Sequence, residues 1–201
     1  MTGSSSRPTS RPAAGGMLAW CLGWLLGGLL LPLAVAADPP RFRVVEAATR
    51  LVDEVYRLDA RLDLEFSAEV FEALDNGVPL TIELQIEVFE PSDWLWDSSV
   101  AELSQRYVLE YRALSGQYLV TNVNTDERSS YAGRHAALVA IGRLQGFPML
   151  DHRLLGVGKR YGARIRARLD IEALPLPLRP VAYLSEAWDL ASDWHTWLLV
   201  P

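Results

Sequence analysis

Three histidines, His135, His152 and His195, are the residues of this chain most suited to metal or acid–base chemistry, and nothing in the sequence gathers them. A catalytic zinc usually takes three protein ligands. His135 sits in a helix-like stretch without a second ligand at i+3 or i+4, and His152 follows Asp151 in a predicted turn. Asp193-Trp194-His195 is another close Asp/His pairing and reads as surface. There is no Gly-x-Ser-x-Gly elbow, His-Glu-x-x-His pair, phosphate loop or dinucleotide fingerprint. The single cysteine, Cys21, lies in an apolar leader, so no thiol nucleophile remains once that leader is removed. The sequence therefore predicts no catalytic residue, no metal and no cofactor. One enzymatic reading stays open, a dispersed carboxylate site, which needs a cleft with two or more inward-pointing acids that nothing neutralises.

Contact chemistry is better represented. Arg164, Arg166 and Arg168, with Arg160 before them, share one face of a predicted strand, with about 7 Å between successive same-face positions. Such a row could grip a carboxylate, a phosphate or an anionic head group, or it could be answered by acids on a neighbouring strand. The acids available are Glu83 and Glu87, or Asp59, Asp63 and Glu65. Tryptophan is the second signal. Trp94 and Trp96 stand in the polar loop Pro91-Ser-Asp-Trp-Leu-Trp-Asp97, where an indole can anchor a partner. Trp188, Trp194 and Trp197 crowd the C-terminus and are expected to plug the core from a closing strand. The candidate contact surface is thus Trp94, Trp96, Arg164, Arg166 and Arg168.

Those residues must be positioned by strands. Leu58, Ala60, Leu62, Leu64 and Phe66 alternate with charged residues, the pattern of a strand with one wet face. Ser67 to Gly77 changes period: Ser67 is placed to cap a short helix that buries Val70, Phe71 and Leu74, and Gly77 to end it. Leu80, Ile82, Leu84, Ile86 and Val88 are the inward set of the cleanest strand. Tyr107 to Ala113 and Gln117 to Asn122, joined through Leu114-Ser115-Gly116, read as a hairpin. Ser130–Leu144 reads as the long helix, closed by Gly146 and Pro148, and Tyr161 to Ile171 as the last strong strand. The prolines of Leu174 to Pro180 suggest an extended edge or crossover. The fold class that follows is mainly β with two helical insertions, an antiparallel β-sandwich or open barrel.

The start of the chain is an address. Arg7 and Arg11 precede the apolar run Met17–Val35, which ends at Ala34-Val35-Ala36. A basic region, an apolar core and a small-x-small site, in that order, describe a secretory signal peptide over residues 1–36. The run is 19 residues long, close to the roughly 20 that span a bilayer. An uncleaved inner-membrane anchor over 17–35, with the body outside, is therefore the alternative. Residues 37–55 then read as a linker and 56–201 as one exported domain, with the periplasm as the location this address implies. Beyond the leader the chain keeps 17 basic and 25 acidic residues, a formal charge of −8. That balance disfavours nucleic acid, and membrane contact is expected only through an uncleaved leader.

Longer stretches resemble a family. Leu-x-Leu-x-Phe-Ser67 before a short helix, Ala73-Leu-x-x-Gly77-Val-Pro-Leu80 and Leu109-x-Tyr-x-Ala-Leu-x-x-x-Tyr118-Leu-Val resemble the bacterial domain of unknown function 4390. Arg166-x-Arg-Leu-Asp170-x-x-x-Leu-Pro175-x-Pro177-Leu and Trp188-x-Leu-x-Ser192-x-Trp194-x-x-Trp197 fit the same pattern. The resemblance implies an exported bacterial protein, sometimes labelled a proline-rich signal peptide protein, and brings no activity or catalytic residue. The expected function is a non-enzymatic module that binds another envelope protein. Binding of a carbohydrate or an anionic lipid head group is the alternative.

Overall fold

The computed structural model describes residues 41–92 and 96–199. Alternating sequence becomes strand throughout: β1 (Phe42–Val52), β2 (Val55–Leu64), β3 (Leu80–Glu90), β4 (Ser98–Arg112), β5 (Gln117–Asn122), β6 (Arg128–Tyr131), β7 (Arg143–Asp151), β8 (Gly162–Leu169) and β9 (His195–Leu198). Three helices interrupt them, α1 (Ala68–Asp75), α2 (Arg134–Ile141) and α3 (Arg179–Leu184). The strands form two antiparallel sheets, one in the order β1-β2-β7 and one in the order β6-β5-β4-β3-β8-β9. The architecture is a β-sandwich and not a closed barrel.

Leu58, Leu62 and Leu64 of β2 and Leu80, Ile82, Leu84, Ile86 and Val88 of β3 are all buried, together with Ala163, Ile165 and Ala167 of β8. These residues form one continuous core between the sheets. Every second residue of β3 and β8 is thereby left on the opposite, outer face, which is where the charged ladder described below is built. Helix α2 lies against β2 and β7 of one sheet and β5 and β6 of the other, so it plugs an end of the sandwich. Trp188 is buried, and Trp197 is half-buried with its Nε1 donating to Thr49 Oγ1 of β1 at 3.2 Å. Trp194 does not join them.

Four sequence readings change. Residues 42–52, placed in a linker over 37–55, form β1, so the folded domain begins about at Phe42. The expected helix over Ser130–Leu144 contracts to the eight residues of α2, between a glycine N-cap at Gly133 and a glycine C-cap at Gly142. Gly146 and Pro148 do not close a helix: both lie within β7, where register shifts against β2 and a φ of 59° at Gly146 mark bulges. Proline is tolerated there because β7 is an edge strand. Finally, the proline-rich run leads into a third short helix, α3, with a proline in its first turn.

Helix α1 forms where the cap chemistry demands it. Ser67 Oγ accepts from the Val70 amide at 3.1 Å, Val70 and Leu74 are buried, and Gly77 follows with φ 86°. Removing the cap oxygen from a buried site strands an amide donor. Ser67→Ala is expected to cost about 1 kcal/mol and to lower Tm by roughly 2–4 °C in a domain of this size, as read by thermal unfolding.

Candidate functional site

The outer face of the six-stranded sheet carries a ladder of three rungs across β8, β3 and β4. Register sets the membership: Arg168, Glu83 and Arg106 form the first rung, Arg166, Gln85 and Ser104 the second, and Arg164, Glu87 and Glu102 the third. At the end of the ladder Phe89 pairs with Gly162, and its ring covers the space a Cβ would need: Phe89 Cζ lies 2.5 Å from an ideal Cβ at Gly162. A glycine in mid-sheet thus accommodates the aromatic ring that closes the row.

Glu83 is the pivot. Its side chain is only 3% exposed, and it accepts from Ser104 Oγ at 2.7 Å, Arg168 Nε at 2.7 Å, Gln85 Nε2 at 3.0 Å and Arg106 Nε at 3.3 Å. Burial pushes its carboxyl pKa up, but the Ser104 hydroxyl, the Arg168 guanidinium and Arg106 outweigh it, and the group is held below its ordinary value. Glu87 receives Arg164 at both Nε (2.7 Å) and Nη2 (2.6 Å). Arg166 differs from its neighbours: its partner is a neutral amide, Gln85 Oε1, at 2.6 Å from Nε. Trp194 lies alongside, its ring 4.4 Å from the Arg166 guanidinium carbon and 4.9 Å from that of Arg164. This cation–π packing fixes both cations against one wall.

Together these groups border an open groove of about 490 Å³, with Arg166 and Trp194 on one side and Glu102 and Ser104 on the other. Of its three acids, Glu83 and Glu87 are answered by arginine, and Glu102 accepts from Ser99 Oγ at 3.1 Å. A pair of free carboxylates suited to acid–base work is not assembled among the described groove residues. What the arrangement can do is present fixed hydrogen-bond donors and charges to a ligand.

The arginines predicted as contacts, Arg164, Arg166 and Arg168, are therefore brought together on one face, and Glu83 and Glu87 are the acids that answer them. Arg160 is exposed and lies before β8. Asp59 and Asp63 serve their own hairpin instead, with Arg50 at 2.6 Å and Arg43 at 3.6 Å. Trp96 is 79% exposed in the β3–β4 loop, whereas Trp94 lies outside the described residues. Sequence reasoning missed Gln85 and Trp194. Gln85 was legible as the neutral member of the wet-face row Glu83-Gln85-Glu87; Trp194 carried no signal that would turn it from the core to the outer face.

The histidines stay apart: His135 is on α2, His152 in a 3₁₀ turn after β7, and His195 on β9. Among the described residues no group of three His, Cys, Asp or Glu could hold a metal ion. No described helix is long and apolar enough to cross a membrane.

Comparison with curated proteins and with solved structures found no match. A family model does match, Domain of unknown function (DUF4390), over residues 40–198, a span that takes in both sheets and every residue of the ladder. The chain belongs to the DUF4390 family.

Proposed function

We propose that this protein is an exported, non-enzymatic module of the bacterial envelope that takes a partner protein on the outer face of its six-stranded sheet. The observation that carries the reading is the groove beside Arg166. Its charge faces a neutral amide, its guanidinium is immobilised by Gln85 and Trp194, and its Nη groups have no hydrogen-bond partner among the described residues. Fixed donors bind with less ordering cost than free ones. The export half of the reading is supported by the signal-like order of residues 1–36. Within the groove a protein is favoured over a sugar because its aromatic ring, Trp194, is already engaged by two guanidinium groups, and a sugar bound there would need that ring free to stack on. Trp96, exposed in the loop beyond the third rung, adds apolar contact area.

The test is a photo-crosslinking amino acid placed in the full chain at Thr196, exposed and paired with Arg164 at the rim of the ladder, and separately at Gln145 on β7 of the other sheet. In cells making the protein with its own leader, adducts to an envelope protein are expected from Thr196 and not from Gln145. Absence of adducts at Thr196, or equal labelling from both positions, overturns the reading.

A further inference from the structure

The three rungs do not carry equal charge. The first holds two guanidinium groups, Arg168 and Arg106, against the single carboxylate of Glu83. The second holds Arg166 with the neutral Gln85 and Ser104. The third reverses sign, with Arg164 against both Glu87 and Glu102, which face each other across β3 and β4. Counted by rung, the excess runs plus, plus, minus. This positive portion stands on a domain whose formal charge beyond the leader is −8, so it is not a by-product of a basic surface.

Position turns that order into a code. Successive rungs are two residues apart along β3, hence about 7 Å, which is also the spacing of same-face side chains in any extended peptide. Like charges placed directly opposite are unfavourable and opposite ones favourable. Glu87 and Glu102 are such a like-charge pair, and Arg164 neutralises only one of them. Arg166 likewise keeps a full charge while its Nε is satisfied by Gln85, leaving the Nη edge for a carboxylate, the group a guanidinium fork matches. The groove is lined by Glu83 of the first rung, Arg166, Gln85 and Ser104 of the second and Glu87 and Glu102 of the third, and Arg106 and Arg168 flank it through their pairing with Glu83.

From this we infer that the groove reads an extended peptide segment of the partner in which two acidic side chains and then a basic one occupy alternate positions, acid-x-acid-x-base in either chain direction. The middle acid pairs with Arg166, the outer acid with the Arg106–Arg168 rung, and the base with Glu102. The inference rests on the binding reading above and specifies its ligand.

Binding is measured by fluorescence anisotropy with the full chain in nonionic detergent and capped peptides carrying a neutral dye. The probes are Ser-Glu-Ser-Glu-Ser-Lys-Ser, its reverse-order counterpart Ser-Lys-Ser-Glu-Ser-Glu-Ser, and Ser-Glu-Ser-Lys-Ser-Glu-Ser, identical in composition and net charge but with the base in the centre. One of the first two is expected to bind at least about tenfold more tightly than the third, the scale of one charged hydrogen bond gained or lost. Arg166→Gln is expected to weaken the preferred peptide about tenfold. Gln85→Glu, which keeps Arg166 but cancels its charge, should do the same, while Arg61→Gln on the other sheet, where Arg61 pairs with Glu46, leaves binding unchanged. Equal affinity for all three peptides overturns the inference, as does binding indifferent to both Arg166→Gln and Gln85→Glu. Should Arg166→Gln not fold, the three-peptide comparison and Gln85→Glu decide. Crosslinks from Thr196 with equal peptide affinities would defeat the code alone; selective peptides with no crosslinks would defeat the envelope-partner reading alone.

Discussion

Gly142→Ala is expected to destabilise the domain by about 3 kcal/mol, at the upper end of what overpacking a well-packed site costs. The reason is a backbone contact and not a flexible one. An ideal Cβ at Gly142 would lie 2.3 Å from the carbonyl oxygen of Leu62 and 3.3 Å from its carbon. Gly142 ends α2, and its own carbonyl accepts from the Leu62 amide at 2.8 Å, so helix and strand are pinned together where the methyl would go. Relief requires β2 to move away from α2, yet Leu62 and Leu64 are fixed in the core on that strand. Interiors packed like crystals transmit such a shift. In a domain of this size the expected fall in Tm is about 6–12 °C. The contrast is Gly133→Ala at the other end of the same helix, where nothing lies within 4 Å of a new Cβ. It should cost under about 1 kcal/mol, the loss of a tolerated N-cap glycine. A thermal scan showing Gly142→Ala as stable as Gly133→Ala would mean that the helix does not approach the strand this closely.

The same glycine explains why part of the fold was hidden in the sequence. Tyr131, Leu138, Ile141 and Leu144 have helical spacing, and periodicity alone joins them across Gly133 and Gly142. The structure breaks the run because a glycine at 142 permits the chain to turn hard against β2, which no local pattern records. Strand β1 was hidden differently. Its wet and dry positions are scrambled by a bulge between Val44 and Glu46, and its turn to β2 uses Asp53 and Glu54, both at positive φ (49° and 65°). The usual hairpin signal at such positions is Asn-Gly or Asp-Gly, so neither pattern nor turn announces the hairpin. By contrast β2, β3 and β8 alternate cleanly, and α1 carries its Ser67 cap and Gly77 stop in plain view.

The candidate site was half legible for a related reason. Alternation reveals that Arg164, Arg166 and Arg168 share a face, as do Glu83, Gln85 and Glu87. Which arginine meets which partner depends on register, and a shift of two residues would leave every face unchanged while re-pairing every charge. In the observed register Arg166 meets Gln85, the neutral β3 residue among the three rungs. The distinctive feature of the groove is therefore a property of strand pairing, invisible in either segment alone.

Register also makes Glu83 the group on which this face's charge pairs converge. Glu83→Ala is expected to cost roughly 2–3 kcal/mol, less than the roughly 3–5 kcal/mol of breaking a fully buried ion pair, because Arg168 and Arg106 remain about half-exposed and water can take up their charge. The loss leaves two like charges on one rung and removes the acceptor for the Ser104 hydroxyl and the Gln85 amide, so the hold on Arg166 loosens as well. The pH dependence has a definite sign. Glu83 is held below its ordinary pKa in the folded chain, so the unfolded state takes up a proton first as pH falls. Its contribution is fully present at pH 7 and is lost below about pH 4.3, the ordinary glutamate value, as pH falls through the folded pKa. Chemical denaturation at pH 7 and at successively lower pH should therefore show the stability gap between the native chain and Glu83→Gln closing in acid. A gap that stayed constant, or widened, would show that the carboxylate is not held by its arginines and that the ladder does not fix the groove.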